Sequence, residues 1–166
     1  MQDLSRGSLR LGWNPITDYL TCSLLVKFNS LYPGITVTTL EMPQDAIEGA
    51  VAEDRIDVGI AFSRPFWTDG QSSEVEAEML FEETLCMAVG NAHPRAKRPH
   101  PIRAPEFGRE SLVMLNTDFA LRRLVDQYCV EHEIAPRIAV ETDSLSVLIE
   151  MIQVGPLATV LPSSIV

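Results

Sequence analysis

The chain has 166 residues, with 46% hydrophobic and 22% charged, a globular rather than disordered balance that suits one ordinary domain or two small lobes. Its formal net charge of −10 excludes a segment that itself grips a phosphate backbone, which needs dense lysine and arginine. No apolar run reaches the length of a membrane span and the start MQDLSRGSLRLG has no apolar signal core, so a cytoplasmic location with no membrane partner is expected.

Taken in chain order, Leu9 to Trp13 reads as a strand and about Thr17 to Leu31 as a helix. Leu20, Leu24, Leu25, Phe28 and Leu31 share one face of that helix, which the turn Tyr32-Pro33-Gly34 ends. Ile35 to Met42 is a second strand. Pro43 suits the first turn of a helix that runs to Asp54, because its missing N–H costs nothing there. The run RIDVGIAF, from Arg55, supplies a third strand, Val58 to Phe62. A helix between two apolar runs marks a βαβ crossover and hence a parallel sheet. Ligands of parallel sheets sit at the carboxyl ends of strands, so the polar break at Ser63 and Arg64 is a candidate contact.

The second half opens near Glu74. Val75 to Leu80 and Thr84 to Val89 read as strands. A proline-rich stretch with Arg95, Lys97, Arg98, Arg103 and Arg109 then reads as a solvated loop. Leu112 to Leu115 is a short buried strand, and Asp118 to Glu133 a helix with Leu121, Leu124, Val125, Tyr128, Cys129 and His132 in one stripe. Arg137 to Val140 is a strand and Ser144 to Gln153 a helix that is apolar on more than one side. Leu157 to Leu161 closes the series. The two halves repeat a theme of strand, polar cap, helix and strand, which makes an α/β protein of two lobes with a cleft between them.

Catalytic signatures are missing: no G-x-S-x-G, H-E-x-x-H, P-loop or G-x-G-x-x-G occurs, and no metal-ligand spacing. No cofactor is expected. Cys22, Cys86 and Cys129 are far apart and odd in number, which suits small buried hydrophobes rather than disulfides or a zinc site. His132 reads as a satisfied edge residue. What the sequence does offer is polar residues at strand-to-helix junctions: Asn14, Thr17 and Asp18; Asn116, Thr117 and Asp118; Thr142, Asp143 and Ser144. Each suits N-capping, which stabilises by roughly 1 kcal/mol. Together they also suit a small, often anionic, ligand held by helix N–H groups and hydroxyls.

Four stretches carry a family resemblance: GSLRLG from Gly7, LYPGITV from Leu31, RIDVGIAF from Arg55 and FEETLCMAVGNAHP from Phe81. In them the chain resembles the effector-binding domain of LysR-type transcriptional regulators, from Gly7 onward. LEMPQDAIE, DVGIAF, NTDFALRRLVDQYC and ETDSLSVLIEMI are most similar to the cyanate-operon regulators of that family. The resemblance implies two Rossmann-like lobes, as in type 2 periplasmic binding proteins, divided at 7–80 and 81–166. It implies a small-molecule effector, such as cyanate or another small anion, with Thr17, Asp18, Phe62, Ser63, Asn116 and Thr117 lining the cleft and no catalytic role. It also implies a homodimer or homotetramer. Operator DNA would be bound only through an N-terminal winged helix-turn-helix that this chain lacks. The family continues past the strand ending in LP, so a first lobe truncated at its C-terminal side is expected. Asp18 stands where relatives carry a hydroxyl, and a carboxylate there would repel an anion by roughly 1 kcal/mol or more. Two other classes remain open at this point: a solute-binding protein serving a transporter, and a small-carboxylate dehydratase with Asp18 as its acid.

Overall fold

The computed structural model describes residues 6–62, 75–97 and 100–166. It divides into two compact units, Met1–Glu82 and Glu83–Val166, each α/β.

In the first unit, β1 (Gly7–Trp13) runs into a 3-10 turn (Pro15–Thr17) and α1 (Asp18–Leu31). Then follow β2 (Ile35–Glu41), α2 (Gln44–Ala52) and β3 (Val58–Ile60). The sheet has the order β2-β1-β3 with every pairing parallel, in register from Gly7↔Ile35 to Trp13↔Glu41 and from Leu11↔Val58 to Trp13↔Ile60. The connection through α2 therefore crosses over β1, as the helix between two apolar runs requires. Ile47 and Ala50 of α2 pack on Ile56, with Met42, Val51 and Ala61 around them. Gly59 permits this approach, since a Cβ there would collide with the Ile47 side chain.

The start of β3 is pinned electrostatically. Arg10 donates from its main-chain N (2.7 Å) and from Nη2 (2.6 Å) to the Asp57 carboxylate. The Asp57 N–H in turn donates to the Arg10 carbonyl at 2.8 Å. The hydrogen bonds from Arg10 hold the Asp57 carboxyl below the usual carboxylate range.

The apolar stripe read on α1 is real but meets little of this unit. Thr21 is the helix's one buried residue, while Leu24 is 42% and Leu31 63% exposed. Periodicity shows which face can be buried; it does not say what covers it.

The second unit orders its strands β4-β7-β5-β6, where β4 is Leu85–Val89, β5 Ser111–Leu115, β6 Arg137–Thr142 and β7 Ala158–Pro162. β5 is parallel to β6 and to β7, while β4 closes the edge antiparallel to β7. The helices are α3 (Ala104–Phe107), α4 (Ala120–Glu131) and α5 (Leu145–Val154). Phe107, Leu112, Met114, Val125, Cys129, Ala158 and Val160 form the core. Where the chain enters and leaves this unit, Glu83 joins the two ends. Its carboxylate accepts from Ser163 Oγ (2.7 Å), Ser164 N (3.1 Å) and Ser164 Oγ (2.9 Å).

Four expectations need correction. Residues 75–80 form no strand, and Met79 and Leu80 are 72% and 63% exposed. Alternating hydrophobicity makes a strand only where a neighbour supplies the ladder. The 118–133 helix begins at Ala120, because Asn116 to Phe119 form a turn first. The basic stretch is not simply solvated. His93 is buried, its Nδ1 accepts from Arg95 N (3.1 Å), its Nε2 lies 3.3 Å from Glu110, and Arg95 pairs with the same carboxylate. Cys22 is exposed; of the three thiols only Cys129 is buried.

Candidate functional site

The carboxyl ends of β1, β2 and β3 share one edge of the first sheet, and α1 and α2 start there. At the β1–α1 junction several donors are engaged within the turn itself. The Asn14 side chain accepts from Ile16 N (3.0 Å), Thr17 N donates to Asn14 O (2.9 Å), and Asp18 N donates to Pro15 O. Pro15 has no N–H to offer. The Thr17 hydroxyl donates to Asn14 O (2.7 Å), which leaves it only its lone pairs. Asn14 and Thr17 are 1% and 8% exposed. Asp18 is half-buried, and its Oδ1 accepts from the Trp13 indole N–H at 2.6 Å. That bond occupies one oxygen of the acid on which a catalytic reading would rest.

Phe62 is held from α2. Gln44, only 1% exposed, donates from Nε2 to the Phe62 carbonyl (3.1 Å) and accepts from the Phe62 N–H (3.1 Å). Its carboxamide therefore pairs with the main chain as a neighbouring strand would. Ser63 lies outside the described residues. One turn after Gln44, on the same face of α2, Glu48 is 6% exposed and its Oε2 has no hydrogen-bond partner among the described residues.

In the second unit, Asn116 and Thr117 follow β5 but do not cap α4. Asn116 Oδ1 accepts from Asp118 N (3.1 Å) and Asn116 Nδ2 donates to Asp118 Oδ2 (3.3 Å), an Asx turn that stands before the helix. Thr117 is exposed, and its carbonyl accepts from Arg123. At α5 the expected cap is present: Ser144 Oγ accepts from Val147 N (3.4 Å), and Thr142 Oγ1 accepts from Ser144 N (3.2 Å). Thr17, Asp18 and Phe62 thus share the strand-end edge of the first unit. Asn116 and Thr117 share that of the second.

Sequence reading missed Trp13, Gln44 and Arg122. Arg122, 8% exposed, bonds the Leu115 carbonyl (2.8 Å), Asp126 (2.9 Å) and Glu141 (2.6 Å), so it locks β5, α4 and β6 together where their junctions meet. Burial pushes its guanidinium pKa down, and the bonds it donates to Glu141 and Asp126 overturn that, leaving it above its ordinary range. Gln44 and Arg122 each stand near a junction, but no local pattern marks a side chain whose partners lie 18 or 19 positions away.

A shallow groove of about 250 Å³ in the second unit is lined by Arg109, His132 and Glu133 among others. It sits where β5 and β6 begin, opposite the strand-end edge. Among the described residues no group of three or more His, Cys, Asp or Glu is placed to hold a metal ion. No helix among them is long and apolar enough to cross a membrane.

Residues 2–166 match the family model of the LysR substrate binding domain. The "Transcriptional activator protein LysR" of Escherichia coli (strain K12) is 23% identical over 158 residues, covering 93% of this chain and 48% of that protein. The chain therefore spans about half the length of this curated relative. Among solved structures, the "Effector binding domain of QuiR in complex with shikimate" superposes with a TM-score of 0.76 at 19% identity, over 96% of this chain and 75% of that one. "Full-length CbnR complexed with the target DNA complex" gives 0.76 at 20% identity, over 99% and 55%. None of these matches singles out the cyanate-operon subgroup. The α/β fold in two units is that of LysR effector-binding domains, and the chain belongs to the LysR substrate-binding-domain family.

Proposed function

We propose that this LysR-family chain is the effector-binding and oligomerisation part of a DNA-binding transcriptional regulator and that it senses a small molecule. The match of residues 2–166 to the family model carries the reading. The named similar structures include one described as an effector binding domain with shikimate and one described as complexed with target DNA, which suits a sensor that acts through DNA. Thr17, Asp18, Phe62, Ser63, Asn116 and Thr117 are the proposed effector contacts, without a catalytic role. The effector shifts the populations of two arrangements of the regulator, by as much as it binds one better than the other. Operator DNA is contacted through a winged helix-turn-helix outside these 166 residues.

Association as a homodimer or homotetramer is supported by the apolar surface left open on α1 (Leu24, Val26, Leu31) and α5 (Val147, Val154). The subgroup resemblance favours cyanate or another small anion as the effector. The engaged donors at the β1–α1 junction weigh against that choice.

A ligand screen by thermal shift tests the reading. A small molecule that raises Tm, with the rise lost in Thr17→Val and Thr117→Val, is the expected result. A rise unaffected by both substitutions would remove these residues from the site.

A further inference from the structure

We infer that the groove where β5 and β6 begin is a second ligand site and that it takes a free α-amino acid as its zwitterion, with the carboxylate on Arg109 and the ammonium on Glu133 and His132. The inference does not draw on the effector-binding reading. The groove lies wholly in the second unit, at the edge of its sheet opposite Asn116 and Thr117.

The first observation is a pair of opposite charges that line the groove and do not meet. Its ionisable lining is Arg109, His132 and Glu133. Arg109 and Glu133 are exposed, and neither side chain has a hydrogen-bond or ion-pair partner among the described residues. Elsewhere in this unit opposite charges within reach pair directly, as Arg95 does with Glu110 and Arg122 with Asp126 and Glu141. A guanidinium and a carboxylate that share one small space without bridging it suit a guest that carries both complementary charges. The guanidinium fork matches a carboxylate in two parallel hydrogen bonds, and a carboxylate accepts from an ammonium.

The second observation is how the acceptors are held. Glu133 has a φ of 53°, a left-handed conformation that glycine enters without strain. The turn after α4 fixes it there: Glu133 N donates to Val130 O (3.2 Å) and Ile134 N to Cys129 O (2.8 Å). A glutamate thus stands where glycine is easier, and its side chain lines the groove. The His132 ring is stacked on Tyr128 with centroids 4.1 Å apart, and its Nδ1 lies 2.9 Å from the Tyr128 carbonyl. That carbonyl can only accept, so Nδ1 carries the proton and Nε2 of the neutral ring keeps its lone pair.

The third is the size and floor of the groove. Pro105 and Ile134 supply apolar surface for a side chain, and Gly108 lets Ile134 close in, since a Cβ there would stand 2.9 Å from Ile134 Cγ2. The volume of about 250 Å³ falls below the roughly 300–1,000 Å³ of clefts for drug-sized ligands and suits one small metabolite.

The test is a calorimetric and thermal-shift titration of the chain with alanine, valine, leucine, methionine and phenylalanine. The N-acetyl derivative of each, which lacks the ammonium, and the amide of each, which lacks the carboxylate, are run beside them at matched ionic strength. Arg109→Gln and Glu133→Gln change exposed side chains without partners among the described residues, so the fold is retained. The expected result is a Tm rise and measurable heat with one or more of the amino acids and none with the derivatives. Binding should be roughly tenfold weaker in Arg109→Gln and in Glu133→Gln, the loss of one charge-assisted hydrogen bond. Glu133→Gly should melt no lower than the parent when unliganded, because the left-handed strain is relieved, while its binding falls as in Glu133→Gln. Equal binding of the derivatives, or binding that survives the substitutions at Arg109 and Glu133, overturns the zwitterion site. Binding lost in Thr17→Val or Thr117→Val assigns the amino acid to the effector contacts and overturns the second site. No response to any amino acid overturns it too and leaves the effector-binding reading standing.

Discussion

Gln44→Ala should be among the most damaging substitutions in the first unit. The side chain is 1% exposed and makes two bonds to the Phe62 main chain. Each such bond is worth about 1 kcal/mol net. Truncation also removes buried methylene surface worth about 0.8 kcal/mol per group. The sum is about 3 kcal/mol, and at roughly 2–4 °C per kcal/mol for a chain of this size Tm should fall by about 6–12 °C. Urea unfolding gives the free energy, and hydrogen exchange at the Phe62 amide should accelerate in the variant. Gln44→Glu keeps the volume but turns a donor into a carboxylate facing the Phe62 carbonyl. Only the protonated form can donate there, so the folded-state pKa of the introduced carboxyl should rise above the ordinary glutamate value of about 4.3. A raised carboxyl pKa means that the variant regains stability relative to the parent as pH falls through the folded-state pKa, with the gain complete below the ordinary value, and loses it as pH rises back through the folded-state pKa. A Gln44→Ala variant within about 0.5 kcal/mol of the parent, the level of an ordinary surface substitution, would refute the reasoning.

Three further outcomes follow from the same structure. Asp57→Asn should flatten the acid limb of stability: the depressed Asp57 carboxyl stabilises above the ordinary aspartate value of about 3.9 and stops doing so as pH falls through its folded value, which a pH series of urea midpoints reads. Arg122→Met should cost roughly 2–3 kcal/mol, less than a fully buried ion pair because Asp126 and Glu141 can rehydrate, and chemical denaturation of Arg122→Lys should recover only part of it. Two glycines should respond in opposite senses. Gly49→Ala, with open space at its Cβ inside α2, should stabilise by about 0.5–1 kcal/mol in urea unfolding, whereas Gly90→Ala, whose Cβ would overlap the Ile152 carbonyl of α5, should prevent normal folding as judged by soluble yield and near-UV dichroism.

Apolar runs and their breakers made most of the architecture legible. Pro33-Gly34 ends α1 as expected, and RIDVGIAF joins β1 in parallel through a crossover. The failures have a common cause. Residues 75–80 alternate as a strand does, yet no strand pairs with them among the described residues; α3 is four residues long, too short to show a period. The strand-to-helix junctions were legible in position, and their hydrogen bonding was not. Polar residues after β1, β5 and β6 marked the junctions, but their types alone could not show that the Trp13 indole, the Ile16 N–H and the Thr17 hydroxyl donate within the β1–α1 junction itself. Gln44 and Arg122 act through partners distant in sequence, which only the folded chain brings within reach.

The Glu83 carboxylate that joins Ser163 and Ser164 has a mechanical consequence. It staples the two chain ends of the second unit at the point where β4 starts and β7 stops, and β4 and β7 are antiparallel neighbours. A pull on those ends meets the Leu85↔Pro162 pair first and opens the ladder toward Val89↔Ala158 one rung at a time, like a zipper rather than a lap joint. Such a unit yields at low force while keeping β5 and β6 paired. It also tolerates having its termini relocated: a short linker from residue 164 to residue 83, with new ends cut in an exposed turn, should leave the four-stranded sheet intact.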